Sequence, residues 1–253
     1  MRILITNDDG VDAPGIAIMA DIAAALSDDV WIVAPDDNQS GAGHRFTFGR
    51  ELQVDQRGPR RFAIVGGSPA DCVVAGMTHL LGGQPADLVL SGVNAGQNLG
   101  DIVHCSGTAA GAREGALHGA VGIAMSQAID YQRSRTVDWS NASRFGIAAV
   151  QAILETKGQH DVFYNVNFPA CSVEDVQGIA AVAHQRFPRA AFSYREADDG
   201  QGFYITIPET PTPLDPTADY EVLRQNRKIT VTPFALQQTE KVALNALASL
   251  SLG

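Results

Sequence analysis

The sequence predicts an α/β fold with a Rossmann-like, open and mostly parallel sheet that carries helices on both faces. Over residues 1–169, short apolar runs typical of buried strands alternate with longer segments typical of helices. The first strand, helix and strand fit within about 33 residues, the size of a βαβ unit. Polar loops follow the predicted strands, and in a parallel sheet such loops share the carboxyl edge, where ligands bind.

The elements of the first two thirds follow one another in regular order. The predicted strands are short and apolar, and two of the predicted helices begin with a proline, which suits the first turn of a helix. The predicted strands are 3–5, 30–33, 62–65, 88–90, 122–126 and 162–166. The predicted helices are 14–26, 69–81, 109–120 and 139–154.

The pattern changes after residue 169. Strands without intervening helices are predicted at 179–184, 192–196, 203–207 and 229–231, with a hairpin turn at 198–200 and a last helix at 236–250. We therefore expect one domain, 1–253, in which 1–169 form the Rossmann-like core and 170–253 add β-hairpin and helix extensions. Extensions with little core of their own often join subunits, so we expect a homodimer or homotetramer.

Composition restricts the class of partner. A net charge of −10 argues against binding to long nucleic acids, because a polyanion requires a basic surface. No apolar run approaches the roughly 18 residues of a membrane span, and we expect a cytoplasmic protein without a membrane partner. Its cysteines, Cys72, Cys105 and Cys171, are odd in number and widely spaced, which favours reduced thiols.

Two adjacent carboxylates, Asp8 and Asp9, directly follow the first predicted strand. Like charges at the end of a buried strand repel each other, and a divalent cation compensates for this repulsion most completely. The alternative is a solvated turn in which an aspartate caps the next helix. Ser40 and Asn94, after two other strands, would complete a set of oxygen ligands that suits Mg²⁺ or Mn²⁺. Each of these two residues alone is also typical of ordinary turn chemistry.

A second group of residues is a candidate for holding an anion. Ser106, Gly107 and Thr108 precede an alanine-rich helix, and the free amides of a helix N-terminus attract phosphate. Simple helix capping explains the same residues equally well. Asn98 offers a further donor. His44 is a secondary candidate as a proton or hydrogen-bond donor near a phosphate, with a surface histidine as the alternative.

These motifs together resemble the SurE (survival protein E) family in order and spacing over nearly the whole chain. The resembling segments are ILITNDDGVDAPG at 3–15, VAPDDNQSG at 33–41, LSGVNAGQNLG at 90–100, SGTAAGAREG at 106–115, NVNFP at 165–169 and ITVTPF at 229–234.

The resemblance implies a metal-dependent phosphatase for nucleoside 5'-monophosphates, and for some members also 3'-monophosphates and short polyphosphate. It implies one Mg²⁺ or Mn²⁺ per subunit, and C-terminal extensions that swap between subunits of dimers or tetramers. The family's metal ligands correspond to Asp8, Asp9, Ser40 and Asn94, and Asp8 and Asp9 are the expected catalytic residues. Its phosphate contacts correspond to Asn98 and to Ser106, Gly107 and Thr108.

Other classes of protein fit less well. A haloacid-dehalogenase-type phosphatase needs an aspartate two residues before Asp9, where Asn7 stands. A phosphoacceptor receiver domain needs an aspartate after its central strand, where Ser91 stands, and a dinucleotide-binding oxidoreductase needs a glycine-rich loop after its first strand. A non-catalytic protein that binds divalent metal or nucleotide remains the alternative. For an enzyme, the nucleophile is either water or one of the two carboxylates.

Overall fold

A computed structural model describes residues 1–132, 135–156, 161–187, 192–206 and 213–248. Within these ranges the strands are β1 (Ile3–Thr6), β2 (Val30–Pro35), β3 (Val54–Gly58), β4 (Arg61–Ile64), β5 (Leu88–Ala95), β6 (Val121–Gln127), β7 (Val162–Phe168), β8 (Ile179–Ala181), β9 (Ser193–Glu196), β10 (Phe203–Thr206) and β11 (Ile229–Ala235). The helices are α1 (Pro14–Ala24), α2 (Pro69–Ala75), α3 (Gly107–Leu117), α4 (Ser140–Leu154), α5 (Asp219–Arg224) and α6 (Lys241–Ala246). Shorter helical turns are Gly76–Leu80, Gly100–Cys105 and Val173–Asp175.

Nine strands form one sheet in the order β3-β4-β2-β1-β5-β6-β7-β11-β8. From β4 to β7 all neighbours are parallel, whereas β3 and β11 run antiparallel to β4 and β7. From β1 the chain builds outward through β2 and β4, then returns to place β5, β6 and β7 on the other side. The strand order therefore reverses between β1 and β5, and ligands bind beyond the carboxyl ends of the strands at such a reversal.

Both faces of the sheet are covered, as the sequence predicts. Successive side chains of a strand point to opposite faces. Ile3 and Ile5 of β1 pack with apolar residues of α1 and α4, while Leu4 packs with Cys72 and Val73 of α2 on the other face. All four residues of β1 are buried, which explains why its first three residues are all apolar. The α/β architecture with an open, mostly parallel sheet is confirmed.

Helix α3 lies close to the sheet because glycines face it. A Cβ atom built on Gly115 would lie 2.5 Å from the Val89 Cβ, and one on Gly111 would lie 2.7 Å from the Ser91 Oγ. Both distances are shorter than real Cβ contacts, so only glycine fits. This packing sets the height at which the first residues of α3 stand above the carboxyl ends of β1 and β5.

Several predicted boundaries change. β5 does not end at Leu90 but runs to Ala95, because its polar residues pair with both neighbouring strands: Ser91 with Thr6, and Asn94 with Ser126. The predicted helix 69–81 is α2 followed by a π-helical turn. α3 begins at Gly107 rather than Ala109.

The prediction of a helix over 236–250 is also too long at its start. Antiparallel pairing with β7 keeps β11 extended as far as Ala235, and α6 begins at Lys241. The Glu240 carboxylate caps this helix by accepting from the backbone N–H groups of Val242 and Ala243. Residues 249–250 lie outside the described part of the chain.

The region after residue 169 contributes to the main sheet and also forms a separate hairpin. β11 and β8 extend the nine-stranded sheet, while β9 and β10, among the residues that the structure describes, pair only with each other as a two-stranded antiparallel unit. The hairpin turn predicted at 198–200 is present between them. Among the described helices, none combines the length and the apolar character that crossing a bilayer requires.

Candidate active site

The turn after β1 carries the two adjacent aspartates. The Asn7 side chain closes this turn: its Nδ2 donates to the Gly10 carbonyl at 2.8 Å, and its Oδ1 accepts from the Gly10 N–H at 3.2 Å. Gly10 has φ +107°, a backbone conformation that favours glycine. The buried amide of Asn7 therefore presents Asp8 and Asp9 at the carboxyl edge of the sheet.

Asp8 is almost completely buried, with 4% of its surface exposed. Burial is the main reason that the pKa of Asp8 is raised to about 6. The Thr108 hydroxyl donates to Asp8 Oδ1 at 2.6 Å and opposes this rise, whereas the neighbouring charge of Asp9 adds to it. A buried carboxylate whose hydrogen bonds do not offset the effect of burial is well suited to a cation.

Asp9 is half-buried and connects the first turn to the end of β5. Its Oδ2 accepts from the Ala95 backbone N–H at 3.0 Å. Burial raises the pKa of Asp9, and the hydrogen bond from Ala95 opposes the rise. Next to Ala95, Asn94 donates from Nδ2 to the Gly96 carbonyl at 2.7 Å, which fixes the plane of its amide. Asp9 and Asn94 are thus held on neighbouring strand ends.

Ser40 lies in the loop after β2, which the Asp8 backbone holds in place. The Gln39 N–H donates to the Asp8 carbonyl at 2.7 Å, and the Ser40 N–H donates to Asn38 Oδ1 at 2.9 Å. Ser40 itself is exposed. The structure therefore brings the backbones of all four predicted metal ligands to one part of the sheet edge. Carboxylate, hydroxyl and amide oxygens fit the hard divalent cations Mg²⁺ and Mn²⁺.

The N-terminus of α3 directly abuts Asp8. Ser106 caps the helix, with its Oγ accepting from the Ala109 N–H at 3.0 Å. A Cβ on Gly107 would lie 2.8 Å from the Asp8 Cβ, so the helix start and the carboxylate are in contact. Both the hydroxyl and the backbone of Thr108 hydrogen-bond to Asp8. Thr108, one of the residues predicted to bind phosphate, is therefore hydrogen-bonded to the Asp8 carboxylate in this structure.

Asn98 is buried within a network of polar side chains. Its Nδ2 donates to Ser126 Oγ at 2.9 Å, and its N–H donates to Asn167 Oδ1 at 2.9 Å. Its carbonyl accepts from Asn165 Nδ2 at 2.8 Å and from Asn167 Nδ2 at 3.1 Å. The Asn98 Nδ2 also lies 3.5 Å from the Thr108 Oγ1. Asn98 is therefore next to the first turn of α3.

Ser126, Asn165 and Asn167 support Asn98 in this network and were not predicted as site residues from the sequence. A signal was present, because two asparagines at alternate positions of an otherwise apolar strand lie on one face of the sheet. Buried asparagines need hydrogen-bond partners, which is a reason to expect such a network.

His44 is connected to α3 through a buried glutamate. Its Nε2 lies 2.7 Å from Glu114 Oε2, and the other Glu114 oxygen lies 3.1 Å from His118 Nε2. Glu114 is 6% exposed and was not anticipated from the sequence. His44 therefore has a structural partner, and this contact orients its ring.

A pocket opens beside the start of α3. His44, Ser106 and Arg113 line it together with the stacked rings of Phe163 and Phe234, whose centroids are 5.3 Å apart. The Arg113 Nε is buried without a hydrogen-bond partner. None of the four predicted metal ligands lines this pocket, which shares only Ser106 and His44 with the predicted site.

Comparison with known proteins identifies relatives of the whole chain. A family model described as survival protein SurE matches residues 3–190. Proteins named 5'-nucleotidase SurE from Methylorubrum extorquens (strain PA1) and Methylobacterium sp. (strain 4-46) are each 41% identical, with 98% of both chains covered. A SurE protein crystal structure from Aquifex aeolicus matches with a TM-score of 0.84, 30% identity and 98% of both chains covered. With its family model, relatives and fold in agreement, this chain belongs to the SurE family.

Proposed function

We propose that this protein is a metal-dependent phosphomonoesterase that hydrolyses nucleoside 5'-monophosphates to nucleoside and phosphate. The observation that carries the proposal is the contact between the Asp8–Asp9 turn and the N-terminus of α3. This contact puts two carboxylates that can bind a cation next to a helix N-terminus that can bind an anion. Hydrolysis of a phosphate ester requires both groups at one site. The relatives named 5'-nucleotidase SurE support the same reaction.

In this proposal Asp8, Asp9, Ser40 and Asn94 hold Mg²⁺ or Mn²⁺. The bound cation would polarise the phosphoryl group and lower the pKa of a bound water. The protein's own contribution is positioning: Thr108 orients Asp8, the Ala95 N–H orients Asp9, and the Asn7 amide keeps the turn closed. Because these groups are fixed before substrate binds, little reorganisation opposes the reaction.

The start of α3 is proposed to bind the phosphoryl oxygens. The first N–H groups of a helix have no partner within the helix, and its dipole favours an anion there. We assign the phosphate contacts to the Gly107 backbone and the Ser106 hydroxyl, which stand at the start of α3, and Asn98 contacts this end through Thr108. One of the two aspartates accepts the proton of the attacking water.

The nucleoside is proposed to occupy the pocket beside Ser106, with its base against Phe234. The phenyl ring offers an apolar face, and base–aromatic stacking stabilises binding by about 1–3 kcal/mol. Phe234→Ala should therefore raise KM for nucleoside monophosphates and leave hydrolysis of ribose 5-phosphate, which has no base, unchanged. Equal losses on both substrates would place the base elsewhere.

The direct test of the activity is phosphate release from a panel of nucleoside monophosphates. Metal-stripped protein should be inactive, and addition of Mn²⁺ or Mg²⁺ should restore turnover in the wild type but not in Asp9→Asn. Asp12→Asn is a matched control, since Asp12 is an exposed carboxylate of the same loop that pairs with Arg57 and Arg61. Folded protein without turnover under any metal would instead support the non-catalytic alternative, a metal- or nucleotide-binding protein.

A further inference from the structure

We propose that Asp101, His104 and His184 form a second metal site, of the type that binds Zn²⁺ and similar transition metals. Within the described residues each of the three offers one ligand atom, and these atoms all lie within 4.8 Å of one another. The three share no residue with the proposed Asp8, Asp9, Ser40 and Asn94 site. They do border the pocket proposed for the nucleoside, because His104 lines it and the His184 ring packs against Phe234 with centroids 5.2 Å apart.

The distance between Asp101 and His184 suits shared coordination better than a hydrogen bond. Asp101 Oδ1 and His184 Nε2 are 3.5 Å apart, beyond a good hydrogen bond. Two ligands on a tetrahedral metal, each at about 2.0–2.1 Å, are separated by about 3.4 Å. Both atoms are buried and lack a hydrogen-bond partner, which is costly unless something else binds them. A cation between them would satisfy both atoms.

The orientation of the carboxylate is already fixed for this role. Asp101 Oδ2 accepts from the Phe187 N–H at 2.9 Å, so Oδ1 is the oxygen that faces the imidazole. Arg186 is the competing cation, with its Nε 3.4 Å from Asp101 Oδ1. Its side chain is 74% exposed, so it can move into solvent when a metal binds.

The donor set selects the metal. Two imidazoles and one carboxylate are typical ligands of Zn²⁺ and neighbouring transition metals, whereas Mg²⁺ prefers oxygen alone. His104 is exposed and its ring lies edge-on to that of His184, with centroids 6.3 Å apart. Three protein ligands would leave a fourth coordination position for water.

The position of the site indicates a structural tether. Asp101 and His104 belong to the helical turn Gly100–Cys105, which leads directly to the α3 cap at Ser106, and His184 follows β8. Asp219 already links the same segments, because it accepts from the N–H groups of Gly100 and Gln185. A metal here would add a second link between the region after residue 169 and the start of α3.

The test uses untagged full-length protein carrying Asp9→Asn, so that binding at the first site is weakened. Co²⁺ should give the intense visible absorption of a low-coordinate imidazole site, and Zn²⁺ should remove it. His104→Gln and His184→Gln should each lose this absorption and weaken Zn²⁺ binding by about tenfold or more. His79→Gln, which changes an exposed histidine elsewhere, should behave as the parent protein.

A Co²⁺ spectrum that is unchanged in both His104→Gln and His184→Gln would overturn the proposal, as would a parent protein with only the weak absorption of an all-oxygen site. If His184→Gln fails to fold, His104→Gln still decides, because the His104 side chain is exposed and the variant is expected to fold. In that case thermal unfolding with Zn²⁺ provides a second measurement: Zn²⁺ should raise the Tm of the parent more than that of His104→Gln.

Discussion

At the scale of single residues, Asp8 determines most of the chemistry of the site. A carboxyl group with 4% exposure and a charged neighbour is stable in its ionised form only when a donor or a cation compensates for burial. Thr108 supplies part of this compensation, at 2.6 Å. The proposed metal would supply the remaining compensation for the buried charge, so a proton and the metal compete for the same carboxylate.

The raised pKa of Asp8 predicts how the stability of metal-free protein depends on pH. The folded-state pKa of about 6 lies above the usual value of 3.8, so this group's contribution to stability is fully present below about pH 4 and is lost as pH rises through 6. Asp8→Asn removes this dependence. Relative to the wild type, the metal-free variant should gain about 1.4 kcal/mol of unfolding free energy between about pH 5 and about pH 8.

Urea unfolding of both metal-stripped proteins at the two pH values measures this difference. The unfolding free energy of Asp8→Asn minus that of the wild type is the informative quantity, because titrating groups other than the coupled neighbour Asp9 contribute equally to both proteins. A difference that is the same at the two pH values would show that Asp8 is already ionised at the lower one.

Thr108 offers a second prediction at this scale. Its hydroxyl lowers the pKa of Asp8, so Thr108→Val should raise that pKa and weaken Mn²⁺ binding by about tenfold near neutral pH. Titration calorimetry of Mn²⁺ measures the change. Thr108→Ser keeps the hydroxyl and is the control. Equal weakening in Val and Ser would attribute the effect to packing rather than to the hydrogen bond.

At the scale of elements, the glycine-lined face of α3 fixes the geometry between helix and sheet. Gly115→Ala would bring a Cβ within 2.5 Å of Val89, and overpacking of this kind costs about 1–3 kcal/mol. Alanine is the better helix former by about 1 kcal/mol, so a purely local effect would stabilise the protein. We expect net destabilisation in urea unfolding. Gly202→Ala, with no atom within 4 Å of the added Cβ, should be nearly neutral.

The elements that were predicted correctly are those whose burial shows in their own sequence. The first three residues of buried β1 are apolar, and Pro14 marks the start of α1. β3 (Val54–Gly58) was missed because its residues are mostly exposed and show no alternation. The end of β5 was missed because Ser91 and Asn94 resemble a loop, and only pairing with β1 and β6 makes them strand residues.

The residues of the two candidate sites also differ in how far their positions could be predicted from the sequence. Asp8 and Asp9 are adjacent in sequence and follow a strand, so their position at the sheet edge was predictable. The contact of Asp101 with His184 was not, because these residues lie far apart along the chain and neither stands in a recognisable motif. Long-range pairs of this kind depend on how β8 and β11 join the sheet, which no local pattern indicates.

At the scale of the whole molecule, the C-terminal extensions expose several large apolar side chains. The hairpin of β9 and β10 exposes Tyr194, Phe203 and Ile205 by 58–72%, and α6 exposes Val242 and Leu244 by 55–76%. A two-stranded hairpin is at best marginally stable on its own in water. Exposed apolar patches on such extensions are typical of association sites. We therefore expect a second subunit to cover them.

This expectation predicts that one charge on the hairpin dissociates the assembly. Ile205 lies directly across from Tyr194 and on the same face as Phe203. Ile205→Glu should shift the wild-type oligomer to the mass of one chain in light scattering coupled to size exclusion, because an interface cannot bury an unpaired charge cheaply. Leu117→Glu, at an exposed apolar position of α3, should leave the mass unchanged. A wild-type protein with the mass of a single chain, or an Ile205→Glu oligomer as stable as the wild type, would rule out association through the hairpin.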